Sequence, residues 1–160
     1  MERDKRFTLT RKIITGILMY GFTVVGFTDI LMHNSGTYST TMAMDIDRVY
    51  FYTFFLLVLG SWLLYHRWYA GIGFICLAAF SHYFEEYRDL HNYFASITVY
   101  IGIVLDFLLR KKLKYLIPLI IIGAVQGAAF YYRWYGLQLV GAMEFLALSV
   151  GTVFIIKEVK

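Results

Sequence analysis

An all-α, polytopic membrane bundle of six transmembrane helices with both termini cytoplasmic is the fold this sequence predicts, and three observations predict it. The first is composition. Of 160 residues, 59% are hydrophobic and 16% charged, whereas a soluble domain usually carries about 25% charged residues. The second is a set of six apolar stretches of spanning length, since a bilayer-crossing helix needs roughly 20 mainly apolar residues, or 17 at the short limit. The third is an uneven distribution of Lys and Arg between alternate loops.

Composition also removes whole classes. Low charge with 14 Phe, 14 Tyr and 3 Trp excludes a disordered chain. Cys76 is the single cysteine, which excludes a disulfide scaffold. The net charge of +4 comes from residues that flank apolar segments instead of forming a stripe, so no nucleic-acid partner is expected. The length leaves one domain, residues 1–160, with little room for a soluble unit.

The six windows run over about 13–33, 48–67, 69–86, 92–109, 115–132 and 135–156. The first is too long for the apolar region of a signal peptide and no small-x-small site closes it, so it is expected to stay as a helix. Gly16, Gly21 and Gly26 recur through it and suit close packing or a bend. The third and fourth windows are separated by the polar string His82–Asn92. In the fifth, Pro118 falls early, where helical amides are unpaired in any case, and Gly123 and Gly127 form a Gly-x-x-x-Gly pattern. Tyr and Trp at 65–69 and 131–135 fall at the boundaries, as an aromatic belt does.

Charge orients the bundle. With the N-terminus inside, the inner side receives Arg3, Lys5, Arg6, Arg11, Lys12, Arg67, Arg110, Lys111, Lys112, Lys114, Lys157 and Lys160. The outer side receives only Arg48, Arg88 and Arg133. Twelve against three is a strong positive-inside bias. Asp45, Asp47, Glu85, Glu86 and Asp89 then fall outside with His33, His82 and His91, and Asp29 sits one turn below His33. A basic inner face opposes an outer mouth of carboxylates and imidazoles.

That mouth holds the candidate site. Asp29 and His33 are four residues apart, on one helix face. If the third helix runs to residue 86, His82, Glu85 and Glu86 share a stripe with Asp89, while His91 and Asp47 open the next segments. Mixed imidazole and carboxylate donors suit zinc, iron or copper, and the expected metal ligands are Asp29, His33, Asp47, His82, Glu86 and His91. Glu85 and Asp89 would support those ligands or accept protons. The plain alternative is a wet interface, with Asp29 and His33 a simple hydrogen-bonded pair. A b-type haem, which needs axial ligands on facing helices, ranks lower.

The run Phe27-Thr-Asp29-Ile-Leu-Met-His33, the polar loop to Asp47 and the aromatic helix through Phe51, Phe54, Leu57 and Gly60 resemble the C subunit of the copper membrane monooxygenases. That resemblance implies a metal held by Asp29 and His33, with Asp47 where the family has a third ligand, a histidine. It covers at best residues 12–110. The stretches Glu85–Ala95 and Ala142-Met-Glu144-Phe145 look like the DRAM-related six-helix membrane group instead, whose members are lipid-associated or of unclear biochemical role.

Glu144 lies near the middle of the sixth window, where an ionised carboxylate costs roughly 2.5–3.5 kcal/mol or more. Gln126 in the fifth window is its expected hydrogen-bonding partner, with a proton or cation relay as the functional alternative. Asp106 and Arg110, four residues apart, are expected to form a local ion pair. No phosphate loop, nucleophile elbow or Cys-x-x-Cys is present, and no repeat of the first three helices in the last three supports an inverted-repeat transporter.

Two function classes follow. One is a multi-pass metalloprotein of the plasma membrane, a small metalloenzyme or the metal-holding subunit of an oxidase. The other is a non-enzymatic structural or assembly subunit, or a small channel or transporter component. In both, the partners are the lipid bilayer and other membrane subunits or a second copy of the chain.

Overall fold

The computed structural model describes residues 2–94, 100–132 and 138–158. Every regular element among them is helical: α1 (Glu2–His33), α2 (Tyr38–Met42), α3 (Ile46–His66), α4 (Trp68–Ala79), a single 3-10 turn (Glu85–Tyr87), α5 (Arg88–Phe94), α6 (Gly102–Leu109), α7 (Leu113–Tyr132) and α8 (Gln138–Glu158). Four of these helices, α1, α3, α7 and α8, are long and apolar enough to cross a membrane. Their outward faces carry large apolar side chains such as Ile17, Phe54, Ile121 and Phe130, each more than half exposed. Lipid is the solvent such surfaces fit.

The third and fourth expected spans are altered. α4 has 12 residues, about 18 Å of helix, against a hydrocarbon core of roughly 30 Å. It stops because Phe80 leaves the helical region (φ −107°, ψ 73°). Tertiary contacts hold it there. Its ring stacks on Phe94 at 5.4 Å and meets the edge of Tyr87 at 5.9 Å, while its carbonyl accepts a hydrogen bond from His91 Nδ1 at 2.8 Å. The window 92–109 is represented by α5 and α6. Residues 95–99 between them lie outside the described residues, as do 133–137, with Arg133, Trp134 and Tyr135, and Lys160.

The α3–α4 pair is packed backbone to backbone. A Cβ on Gly71 would sit 2.4 Å from the Leu64 nitrogen, and one on Gly60 would sit 3.0 Å from the Gly71 carbonyl oxygen. Close approach through small residues is how helices associate where lipid removes the hydrophobic drive. The core they join runs through Met19, Phe22, Leu56, Leu59, Leu63, Phe74, Phe107 and Phe154. Thr15, Thr23 and Thr152 are fully buried within it, and each hydroxyl is spent on the carbonyl four residues back.

The outer loop expected over 34–47 is instead folded onto the bundle. α1 ends at Asn34, which adopts a left-handed conformation (φ 51°), as Asn does at helix termini. The chain then runs along the first turns of α8. Asn34 bonds Gln138 side chain to side chain, the Gly141 amide donates to the Gly36 carbonyl at 3.1 Å, and the Tyr38 amide donates to Glu144 Oε2 at 3.0 Å. Residues 34, 36 and 38 thus meet residues 138, 141 and 144, successive positions about one turn apart along α8. A Cβ on Gly141 would lie 2.5 Å from the Gly36 oxygen, so that approach needs glycine. Tyr38 then lies over Gly26, where a Cβ would clash with its ring at 2.2 Å, and its hydroxyl donates to the Thr23 carbonyl at 2.6 Å. Thr37 and Thr40 close a capping box on α2.

Contacts sort the chain into two ends. At one, Arg11 bonds Tyr65, Arg67 faces Asp106, and Arg110 and Lys112 pair with Glu158. At the other lie His33, Asp45, Arg48, Phe80 and His91, with the 34–42 segment over them.

Candidate functional site

The candidate site forms where the last turn of α1 meets the first turn of α3. Asp45 caps α3, its carboxylate accepting the Arg48 amide at 2.8 Å. This brings Arg48 over Asp29 and His33, which the helix period places on one face of α1. All three kinds of guanidinium nitrogen are engaged. Nη1 bonds Asp29 Oδ2, Nη2 donates to His33 Nε2 at 2.8 Å, and Nε donates to Asp45 Oδ2 at 2.9 Å. Tyr52, one turn along α3, donates its hydroxyl to Asp29 Oδ2 at 2.9 Å.

These bonds fix the histidine tautomer. A guanidinium only donates, so Nε2 carries the lone pair and Nδ1 the proton. That proton faces Asp29 Oδ1 at 3.0 Å and the Asp29 carbonyl at 3.0 Å. Asp29 and Arg48 are about one-fifth exposed, and an intramembrane carboxylate of this kind requires a partner. Arg48 is that partner.

A groove of about 490 Å³ opens beside the cluster. α1 lines it with Val24, Val25, Thr28, Asp29 and Met32, and α3 with Asp47, Arg48, Phe51 and Tyr52. The α1 set follows offsets of zero, one, four, five and eight and the α3 set offsets of zero, one, four and five, the stripe one helix face offers a neighbour. Val24, Val25, Met32 and Phe51 are exposed apolar walls, and charge is confined to one end. This volume and composition fit small-molecule sites in general.

Of the other expected ligands, Asp47 lines the groove, whereas His82, Glu86 and His91 lie apart from it. Because α4 ends at Ala79, His82 falls in a turn and the stripe of His82, Glu85, Glu86 and Asp89 does not form. His82 instead meets His91, ring centroids 5.6 Å apart. His91 is buried and bridges two segments, its Nδ1–H donating to the Phe80 carbonyl and its Nε2 accepting from Ser39 Oγ at 2.9 Å. Burial pushes both imidazoles below their usual range, because desolvation disfavours the charged ring. Glu85, Glu86 and Asp89 are exposed, and Glu85 faces Arg88 at 3.8 Å. The Glu144 carboxylate takes the Tyr38 amide in place of the expected Gln126 side chain, because the 34–38 segment reaches it first. On α7, the face near Gly123 receives Tyr100, whose hydroxyl bonds the Leu119 carbonyl.

His33 Nε2 accepts from Arg48, and Asp29 Oδ2 accepts from Arg48 and Tyr52, so a copper, zinc or iron ion bound by these atoms would have to displace the guanidinium. Among the described residues, no group of three or more His, Cys, Asp or Glu side chains converges as metal ligands do. Sequence reading passed over Arg48 and Tyr52. The signal was present: Arg48 is one of three cations on the acidic side, one turn after Asp45, and Tyr52 lies four residues further on. The expected Asp106–Arg110 pair forms at 2.8 Å.

No known family, curated protein or solved structure matches this chain. The site is therefore read from its own geometry.

Proposed function

We propose that the chain is a six-crossing, non-enzymatic membrane protein, both termini cytoplasmic, whose α1–α3 groove binds a membrane-soluble amphiphile at the outer surface. The 490 Å³ groove carries this reading, since its exposed walls are apolar and its polar groups gather at one end. Binding sites in general combine an apolar body with a few fixed polar groups. Two further features support the topology. The helical ends holding Lys5, Arg11, Arg67, Lys112 and Glu158 gather at one end of the bundle, and an excess of Lys and Arg belongs on the cytoplasmic side.

Two measurements test this. Native mass spectrometry of the full chain from detergent should detect retained amphiphile, and a Val25→Trp variant, which fills the groove, should lose most of it. A Glu86→Cys label in a Cys76→Ala background should react only from the extracytoplasmic side. Labelling from the cytoplasm alone would overturn the orientation.

The metalloprotein reading rests on the Asp29–His33 pairing at 3.0 Å and requires Arg48 to vacate it. Elemental analysis after purification without chelator decides it. Near-stoichiometric copper, zinc or iron that disappears in an Asp29→Ala, His33→Ala double variant would restore that reading. α7 is the least buried of the four long helices, so its outer face is the place to look for another membrane subunit or a second copy.

A further inference from the structure

Charge at the polar end of the groove selects the ligand class. Of the charged residues that line the groove, Asp29 and Asp47 are carboxylates and Arg48 is a cation. Arg48 is already paired with Asp29 and with Asp45 at the start of the same helix. The lining, two negative against one positive, leaves a surplus of one negative charge, at Asp47. Three of the five N–H groups of Arg48 are already spent, one from each nitrogen, on Asp45, Asp29 and His33, so its charge is shared before any ligand arrives. A phosphate or carboxylate head would meet the repulsion of Asp29 and Asp47 beside an arginine whose charge is already shared between two carboxylates. Among the described residues Asp47 has no ion-pair partner, yet it lines the groove. Phe51 is one helical turn beyond Asp47 on the same face of α3 and is half exposed. A carboxylate followed by an aromatic face is a combination that attracts an organic cation, by Coulombic attraction and by the ring quadrupole. Val24, Val25 and Met32 supply apolar wall for the rest of such a molecule.

We infer that the groove takes a lipophilic organic cation, an ammonium or related onium group on an apolar body, with its charge toward Asp47 and Phe51. This rests on the proposed groove function and adds the sign of the ligand's charge.

Two probes of nearly equal size and opposite charge separate the claims: tetraphenylphosphonium and tetraphenylborate. Each is titrated by equilibrium dialysis against the full chain in phosphatidylcholine nanodiscs, with empty discs as background. Saturable phosphonium binding at least tenfold tighter than borate binding is expected. Asp47→Asn, a change at an exposed position, should weaken the phosphonium about tenfold and leave borate unchanged. Val25→Trp should remove saturable binding of both. Equal affinity for the two ions in the wild-type chain would overturn the charge assignment and leave the groove reading standing. Absence of saturable binding by either ion, with no amphiphile retained in mass spectrometry, would overturn both. A zwitterionic lipid that stays bound and is not displaced by phosphonium would overturn the choice of occupant.

Discussion

Arg48 and Arg67 hold carboxylates at opposite ends of the bundle, with opposite charge left over. At the Arg67 end, Asp106 pairs with Arg110 at 2.8 Å and faces Arg67 at 3.5 Å, while Glu158 pairs with Lys112 at 2.9 Å. Two carboxylates there meet three cations. At the Arg48 end, one cation serves Asp29 and Asp45 and also satisfies His33. The difference teaches that charge redundancy is distributed unequally between the two ends. Asp106 survives the loss of a partner, whereas Asp29 depends on a single guanidinium beside an open groove.

The largest effect should come from Arg48→Met. Removing one member of a partly buried ion pair leaves an uncompensated charge and costs about 3 kcal/mol. A clear fall in Tm in detergent is the expected result, and adding Asp29→Asn should recover much of it. If Arg48→Met costs no more than a change at Arg110, the contrast between the two ends is broken.

A smaller, pH-dependent effect belongs to His91. Its folded-state pKa lies below the ordinary value of 6.5 because it is buried. Below that pH the unfolded chain binds a proton that the folded chain does not, so stability falls as pH drops from about 6.5. Thermal melts from pH 7.5 to 5 should follow this trend, and His91→Gln should flatten it, leaving the share due to His82. A variant with the same slope as wild type would remove His91 from the account.

The smallest effect is expected from Arg110→Ala. Its side chain is 43% exposed and Asp106 keeps Arg67, so the loss should be below about 1 kcal/mol. Burial raises no obstacle here, and a shift in Tm beyond experimental scatter would mean that Arg67 does not compensate.

The contrast between the ends was half legible in the sequence. Counting Lys and Arg separated a basic side from an acidic one, and the four-residue spacing of Asp29 and His33 placed them on one face. Neither operation identifies which cation crosses to meet them. Arg48 is 19 residues from Asp29, and that meeting depends on the path taken by the intervening chain. The same limit explains the misplaced end of α4. Its apolar pattern continues to Phe80, and only the Phe94 ring and the His91 imidazole, brought back by the following turn, stop the helix there. The Glu144 partner was misjudged for a related reason. Gln126 is the obvious polar side chain, but the Tyr38 amide, at the start of α2, donates to the carboxylate instead.

The sequence by itself determined the solvent, the helical class and the polarity of the two ends. These follow from composition and local period, which depend on neighbours along the chain. Tertiary structure alone decided that Asp29 and His33 face a guanidinium, that the 34–38 segment docks on α8, and that a groove lies between α1 and α3. Those outcomes depend on which surfaces meet in space. Asp29 and His33, a ligand-like pair by their spacing, stand in an ion cluster because Arg48 of the next long helix folds over them.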